Sequence, residues 1–158
     1  MQAEFAHLEA LLKQISIPRR SKGSNRRGFP VGHRSMTFGI TKGRKDRIVG
    51  LSRPSVLYPE IFEEVVRLGE LHCPFQFTSI HVNHNVVCPP HKDDRNNGES
   101  TLVSFGDYTG GNIVIEGVIH DAKYNPITFD GSKLMHWNTD DLVGNKYSLV
   151  FYIHQSQQ

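Results

Sequence analysis

The second half of the chain alternates apolar and polar residues over short segments, and this pattern constrains the fold more than any other feature. Segments rich in β-branched and aromatic residues follow one another between residues 75 and 154, separated by turn signals such as Pro89-Pro90 and Gly110-Gly111. Period-two alternation at this spacing is typical of an all-β sandwich or barrel. The predicted strand segments are residues 75–87, 101–108, 111–119, 125–131, 133–139 and 146–154.

The first half has a different pattern. Residues 2–15 have apolar side chains at helical spacing and precede Pro18, so they predict an amphipathic helix. Residues 58–71 predict a second helix, with Pro59 in its first turn and acidic residues near its positive end. Between these helices, residues 19–56 indicate loop with short strands at 36–40 and 47–51. We therefore expect a mainly β (α+β) protein, a small jelly roll supported by two N-terminal helices.

The size and composition fit one globular domain over residues 1–158, with the N-terminal helices and basic segment in 1–74 and the jelly-roll core in 75–154. No apolar run approaches the length of a membrane span, so we expect no membrane association. The N-terminus has acids where a signal peptide needs bases, and Cys73 and Cys88 are too few for a disulfide framework. These features predict an intracellular, cytoplasmic or nuclear, protein, with a monomer as the default.

The net charge of +2 conceals a strong asymmetry. The segment Arg19–Arg47 contains ten of the eighteen basic residues and only one acid, Asp46, so it carries +9 against −7 for the rest of the chain. A basic segment on an acidic body favours a polyanionic partner, nucleic acid first. The alternative is a solvated loop that contacts nothing.

Two histidines and a carboxylate form the most informative pattern. His91 and Asp93 are two residues apart, just after a strand, and side chains at this extended spacing point the same way. His136, in a strand-like segment 45 residues later, is the best candidate for a third ligand. Two histidines and one carboxylate with open positions form the facial triad of non-haem Fe(II) oxygenases. The pair His91-x-Asp93 alone is a weak signal, whereas the three residues in a predicted jelly roll are a much stronger one.

The last predicted strand adds a cation and a hydroxyl. Lys146 and Ser148 lie on one face of this strand, where they could hold the distal end of a dicarboxylate. The alternative for Lys146 is an ordinary exposed lysine at a strand start.

This set of residues resembles the Fe(II)/2-oxoglutarate-dependent dioxygenases, over about residues 75–154. The resemblance implies a double-stranded β-helix in which His91, Asp93 and His136 ligate Fe(II). It implies that Lys146 and Ser148 bind the 5-carboxylate of the co-substrate 2-oxoglutarate, that O2 is consumed, and that ascorbate serves as reductant.

A narrower resemblance concerns residues 91–101, which are similar to the ten-eleven translocation and J-binding-protein (TET/JBP) branch. That branch oxidises the 5-methyl group of 5-methylcytosine or thymine, and its motif H-[RK]-D-x-x-N has an asparagine that contacts the target base. Asn96 stands at that place, although Asn-Asn-Gly is also a ready turn. The chain departs from the branch at Lys146, where arginine is usual and where lysine is more typical of prolyl and lysyl hydroxylases. It also lacks a cysteine-rich zinc region.

Three further residues are weaker candidates. Arg34 could pair with an anion of the substrate and Phe38 could stack on a base, with a surface arginine and a core phenylalanine as the alternative. Asn83 could point into the barrel near 2-oxoglutarate, or could make an interior hydrogen bond.

Three functions therefore remain open. The leading one is hydroxylation of a pyrimidine 5-methyl group in nucleic acid. The second keeps the cofactors and changes the substrate to a peptidyl prolyl or lysyl residue or a small molecule. The third is a non-catalytic metal- or nucleic-acid-binding jelly roll.

Overall fold

The computed structural model describes residues 2–20, 33–43, 46–93 and 98–157. Three α-helices, nine strands and a short 3-10 helix occur in these ranges. The helices are α1 (Gln2–Lys13), α2 (Arg53–Leu57) and α3 (Pro59–His72), and the 3-10 helix is Gln155–Gln157. The strands are β1 (Arg34–Lys42), β2 (Val49–Leu51), β3 (Ser79–His84), β4 (Ser100–Thr109), β5 (Ile113–Ile115), β6 (Val118–His120), β7 (Ile127–Phe129), β8 (His136–Asn138) and β9 (Val143–Tyr152).

The strands form two sheets. The main sheet has the order β2-β1-β3-β9-β4-β7 and the minor sheet has the order β6-β5-β8, with antiparallel pairing throughout. Strand β9 separates β3 from β4, and the chain crosses from one sheet to the other between β4 and β5, β6 and β7, β7 and β8, and β8 and β9, as in a jelly roll. The predicted mainly β fold, a double-stranded β-helix, is confirmed.

The main sheet has two chemically different faces. Along β9, Tyr147, Leu149 and Phe151 are buried in the hydrophobic core, whereas Lys146 and Ser148 lie on the opposite face and line a cavity. This division follows from the period of two in a strand. The same alternation in β1, β3 and β4 sends one set of apolar side chains to the core, and its members include Met36, Ile80, Val82, Val103 and Phe105.

Helices α1 and α3 cover the apolar face. Phe5 and Leu8 of α1 and Val65 and Leu68 of α3 are fully buried against the sheet. The ring of Phe5 lies 5.3 Å from that of Phe105 on β4. In the part of the chain that the structure describes, no helix is long and apolar enough to cross a membrane.

Two local features differ from the sequence prediction. The segment 19–56 contains a helix, α2, which starts at Arg53 and has a proline in its first turn, and Ser52 and Ser55 share a 2.7 Å hydrogen bond beneath it. The segment 111–119 is not one strand, because Glu116 (φ 48°) and Gly117 (φ 81°) form a tight turn that separates β5 from β6. Positive φ at two successive residues matches the twist of a two-residue hairpin.

Phe5→Ala tests how α1 is held on the sheet. The Phe5 ring contacts the rings of His72, Phe105 and Tyr124 at centroid distances of 5.8, 5.3 and 5.7 Å. Removing this ring should lower the free energy of unfolding by about 3–5 kcal/mol, as for other buried phenylalanines. Urea denaturation measures the change. Leu71→Ala on α3, at an exposed side chain, is the control and should stay within about 0.5 kcal/mol of wild type.

Candidate metal centre

His91, Asp93 and His136 converge because backbone hydrogen bonds join two distant stretches of chain. The amide of His91 donates to the carbonyl of His136 and the amide of His136 donates to the carbonyl of His91, both at 3.0 Å. The amide of Asp93 donates to the carbonyl of Gly131 at 2.9 Å. His136 begins β8, so the minor sheet and the loop after residue 88 together hold the three side chains.

The ligand atoms of the three residues are close enough to share one ion. Asp93 Oδ1 lies 3.6 Å from His91 Nε2, and Asp93 Oδ2 lies 3.4 Å from His136 Nε2. One ligand atom from each residue falls within 4.8 Å of the others. Two atoms that each lie about 2.1 Å from one ion can be at most about 4.2 Å apart, so both carboxylate–imidazole distances are compatible with a metal. The donor set of two imidazoles and one carboxylate fits Fe(II).

Backbone carbonyls set the orientation of both imidazoles. His91 Nδ1 lies 2.8 Å from the carbonyl oxygen of Pro89, and His136 Nδ1 lies 2.8 Å from that of Leu134. A carbonyl can only accept a hydrogen bond, so each Nδ1 carries the proton and each Nε2 presents its lone pair toward Asp93. This arrangement is the one that metal-ligating histidines need.

Gly131 leaves the space that Asp93 occupies. A Cβ at this position would lie 2.6 Å from Asp93 Oδ2 and 3.1 Å from His136 Cε1. Any side chain at Gly131 would therefore collide with one ligand and press on a second.

A cavity extends from the triad along the polar face of the main sheet. Its wall combines the three candidate ligands with both polar and apolar side chains. The remaining lining residues are Asn83, Val86, Cys88, Ser100, Leu102, Ile113, Phe129, Asn138, Lys146, Ser148 and Val150.

Lys146 is a buried cation in this cavity. Its side chain is 5% exposed, and Nζ donates a 2.6 Å hydrogen bond to the carbonyl of Gly111 and lies 5.6 Å from the ring centroid of Tyr108. No carboxylate of the described ranges comes within ion-pair distance of this ammonium. Burial lowers its pKa from 10.5 to about 8. The arrangement suits an anion that enters the cavity, since a carboxylate would supply the missing charge partner.

Asn83 and Ser148 lie across from one another on β3 and β9. Asn83 Nδ2 donates to Ser148 Oγ at 3.4 Å, whereas Asn83 Oδ1 is buried and has no hydrogen-bond partner among the described residues. An unsatisfied buried amide oxygen is costly, so a donor from a ligand or water is expected here. The structure thus brings the residues predicted for metal and 2-oxoglutarate into one cavity.

The structure does not bring the predicted substrate residues Arg34 and Phe38 to the cavity. Phe38 is 0% exposed and packs against Phe62 in the core, because it lies on the helix-covered face of β1. Arg34 Nη1 donates to the carbonyl of Ile17 at 3.0 Å and does not line the cavity. Phe38 is therefore a core residue, which is the alternative interpretation of the sequence. Arg34 joins the start of β1 to the chain at Ile17 through a hydrogen bond. Asn96 lies outside the described residues.

Several residues of the site were missed by sequence reasoning. Phe129 and Gly131 belong to a strand-turn signal that resembles the middle of the oxygenase fold, but the sequence does not mark either of them, or Asn138, as a site residue. Asn85 has φ 53°, and its Oδ1 accepts a 2.7 Å hydrogen bond from the amide of Lys146. Its own amide donates to the Lys146 carbonyl at 2.8 Å, so Asn85 fixes the backbone of Lys146 in both directions.

No family model matches the chain and no curated protein matches its sequence. Solved structures do match. NgTET1 in complex with 5mC DNA gives a TM-score of 0.59 at 13% identity, over 96% of this chain and 69% of that chain. OsALKBH1 gives a TM-score of 0.56 at 14% identity, over 94% of this chain and 91% of that chain. A bsmA homolog from Methylobium petroleophilum PM1 gives a TM-score of 0.51 at 11% identity, over 99% of this chain and 84% of that chain.

At these identities the likeness shows the fold. The fold is a jelly roll, the double-stranded β-helix that the sequence predicted. The His-Asp-His cluster lies within this fold.

Gly131→Ala tests the metal centre without removing a ligand. The added methyl group should displace the Asp93 carboxylate and weaken Co(II) binding roughly 10- to 100-fold, the usual effect of disturbing the surroundings of metal ligands. Titration followed by Co(II) absorbance measures the affinity. Gly50→Ala is the matched control, because a Cβ at Gly50 would meet nothing within 4 Å. Equal affinity in the two variants would contradict the assigned role of Gly131.

Lys146→Met tests whether the buried ammonium is a cost to folding. Its folded-state pKa lies below its unfolded value, so the unfavourable contribution is fully present below about pH 8 and is relieved as the pH rises toward 10.5. Lys146→Met should therefore raise the free energy of unfolding by roughly 1–3 kcal/mol near neutral pH. The gain should shrink above pH 8, where wild type loses the same charge. Urea unfolding at several pH values tests this, and a loss of stability at every pH would refute it.

Proposed function

We propose that this protein is an Fe(II)- and 2-oxoglutarate-dependent oxygenase that hydroxylates the 5-methyl group of 5-methylcytosine or thymine in nucleic acid. The observation that carries the reaction class is one cavity that contains both a His-Asp-His cluster and the buried ammonium of Lys146, which has no carboxylate within ion-pair distance in the described ranges. A structural metal site does not require a buried ammonium group in the same cavity.

Each residue of the cavity has a definite task in this proposal. His91, Asp93 and His136 hold Fe(II), and their Nδ1–carbonyl hydrogen bonds keep both Nε2 atoms aimed at the ion. The iron, together with 2-oxoglutarate and O2, supplies the oxidising power for a C–H bond, with ascorbate as the reductant that maintains Fe(II). The protein therefore needs no acid–base residue for the chemistry, and its contribution is binding, orientation and exclusion of water.

The co-substrate end of the cavity is the Lys146 end. The ammonium of Lys146 and the hydroxyl of Ser148 bind the 5-carboxylate of 2-oxoglutarate, and the unpartnered Oδ1 of Asn83 accepts a hydrogen bond from a water or ligand beside it. Apolar side chains from both sheets line the space between this end and the triad, and they keep bulk water out. These side chains are Val86, Leu102, Ile113, Phe129 and Val150.

Three observations support a nucleic-acid substrate. The segment Arg19–Arg47 carries a charge of +9, Asn96 stands at the base-reading position of the H-[RK]-D-x-x-N motif, and a structural neighbour is bound to 5mC DNA. A base inside a duplex cannot reach a cavity between two sheets, so the target must be flipped out or single-stranded. Binding should also weaken steeply as salt is raised.

The decisive experiment combines co-substrate and product analysis. Purified protein with Fe(II), ascorbate, O2 and 2-oxoglutarate receives 5-methylcytosine DNA, thymine-only DNA or no nucleic acid, and mass spectrometry reads succinate and digested nucleosides together. Hydroxymethylated nucleoside with matching succinate supports the proposal and names the base. His136→Ala should abolish turnover; activity that survives this change would refute the metal assignment.

Lysine at position 146 favours the second candidate, a peptidyl prolyl or lysyl hydroxylase or a small-molecule hydroxylase with the same cofactors. Succinate without a modified nucleoside would point to it. Failure to bind Fe(II) and 2-oxoglutarate would instead leave a non-catalytic metal- or nucleic-acid-binding jelly roll.

Asn96→Ala separates the first two candidates. An asparagine amide offers both a donor and an acceptor to a base edge, so its loss should lower kcat/KM for the DNA by roughly 10-fold or more, in line with about 1–3 kcal/mol for a good base contact. The affinity for 2-oxoglutarate should not change. Asn125→Ala, which removes an amide bonded to the Asp121 carbonyl, serves as control. Equal losses in both variants would argue against base recognition by Asn96.

A further inference from the structure

Arg20 is held rigidly at the edge of the main sheet. Its amide donates a 2.8 Å hydrogen bond to the carbonyl of His33, and the amide of Ser35 donates to the carbonyl of Pro18 at 3.2 Å. The stretch that precedes Arg20 therefore runs alongside the start of β1, and the arginine side chain begins from a fixed backbone.

The guanidinium of Arg20 rests on neutral hydroxyl groups. Nε donates to Ser35 Oγ at 3.1 Å and Nη2 lies 3.4 Å from Thr37 Oγ1. These hydroxyls are buried and are themselves anchored, Ser35 to His33 Nε2 at 3.0 Å and Thr37 to His81 Nδ1 at 2.9 Å. The side chain thus has one preferred position over the sheet.

No carboxylate neutralises this arginine within the described ranges. A guanidinium has five N–H donors and stays charged, and two of these donors bond to hydroxyls of the described residues. Burial lowers the pKa of Arg20, and the neighbouring Tyr152 opposes this shift. A half-buried, oriented cation of this kind is suited to an external anion.

Arg20 lies on the same face of the sheet as the cavity. Ser35 is paired with Asn83 on β3, and Asn83 is paired with Ser148 on β9, so the three side chains stand in one row across the sheet. Adjacent strands are about 4.8 Å apart, which places Ser35 roughly 10 Å from Ser148. The row therefore leads from the 2-oxoglutarate end of the cavity directly to the hydroxyl that Arg20 contacts.

We propose that Arg20 binds a backbone phosphate of the nucleic-acid strand whose target base occupies the cavity. The planar fork of arginine matches a phosphate bidentately, and the distance from the cavity is on the scale of one or two nucleotides of extended chain. This inference rests on the nucleic-acid part of the proposed function. It assigns to one residue a role that the charge of Arg19–Arg47 indicates only for a whole segment.

The salt dependence of binding tests the phosphate contact. A fluorescent single-stranded oligonucleotide with one 5-methylcytosine is titrated by anisotropy between about 50 and about 200 mM salt, with Co(II) and 2-oxoglutarate present. Removing one phosphate contact should reduce the slope of log K against log salt by about 0.7. Arg20→Gln should show this reduction and bind several-fold more weakly at low salt, whereas Arg20→Lys should keep the slope.

Arg67→Gln is the charge-matched control. Arg67 lies on α3, behind the opposite face of the sheet, where it pairs with Glu64 at 2.9 Å. The Arg67→Gln substitution should leave the slope of log K against log salt unchanged. An equal slope for wild type and Arg20→Gln would overturn the proposal, because a purely structural role for Arg20 changes stability and not the number of phosphates bound.

A second arm uses the wild-type protein alone and stays informative if Arg20→Gln fails to fold. Methylphosphonate linkages neutralise one phosphate at a time on either side of the 5-methylcytosine. One neutral linkage should weaken wild-type binding several-fold. Uniform tolerance of every neutral linkage by wild type would overturn the inference. Binding of inorganic phosphate by a protein that shows no DNA binding would assign the site to a small anion. That result would overturn the inference as well.

Nucleoside analysis of the same samples separates this inference from the proposed function. An Arg20-dependent salt slope without hydroxylated nucleoside would uphold the phosphate contact and refute the reaction. Hydroxylated nucleoside together with a salt slope that is the same in wild type and Arg20→Gln would support the reaction and refute the phosphate contact.

Discussion

Burial of one face of the main sheet against α1 and α3 is the interaction on which the rest of the structure depends. Phe105, Leu149 and Phe151 are fully buried on this face, and Phe5 and Leu68 of the helices cover them. Because side chains alternate along a strand, this packing also fixes what points the other way. A one-residue slip of β9 would send Lys146 and Ser148 into the apolar core and would expel Leu149. The composition of the cavity is therefore a consequence of how the core is packed.

The metal centre adds a second constraint, which is local. The reciprocal hydrogen bonds between His91 and His136 bring two histidines, 45 residues apart, to adjacent positions, and the carbonyl of Gly131 positions Asp93. Pro89 and Leu134 orient the imidazole rings through their carbonyls. Most of this support comes from the backbone, so it is largely independent of side-chain identity. Gly131 is the exception, since its missing side chain is the space for the carboxylate.

The electrostatics of the polar face favour anions at two points. Lys146 and Arg20 are both partly or fully withdrawn from water, and burial lowers the pKa of each. Neither has a carboxylate partner in the described part of the chain. A dicarboxylate at Lys146 and a phosphate at Arg20 would supply the missing charges. The two residues thus connect the proposed co-substrate to the proposed substrate along one row of side chains.

The sequence by itself determined the class of fold and the main elements of the candidate site. Period-two alternation predicts strands wherever it is sustained, and this prediction is confirmed for the jelly roll. The spacing of His91 and Asp93 brings an imidazole and a carboxylate to one side of an extended chain, and the pairing of Lys146 with Ser148 follows from the same period. These inferences concern residues one or two positions apart, where backbone geometry alone sets the direction of side chains.

Only the tertiary structure decided which face of each strand meets the core and which distant segments meet one another. Phe38 has the alternation of a strand residue, but the helices cover its face and leave the face of Ser35 and Thr37 to the cavity side. The importance of Gly131 depends on Asp93, and that of Asn85 depends on Lys146, both through contacts between segments far apart in sequence. In the sequence, nothing separates Arg20 from the other nine basic residues of its segment. The pairing of residues 18–20 with the start of β1 places it over the sheet. Such contacts are decided by the collective packing of two sheets and two helices, which no local pattern of residues encodes.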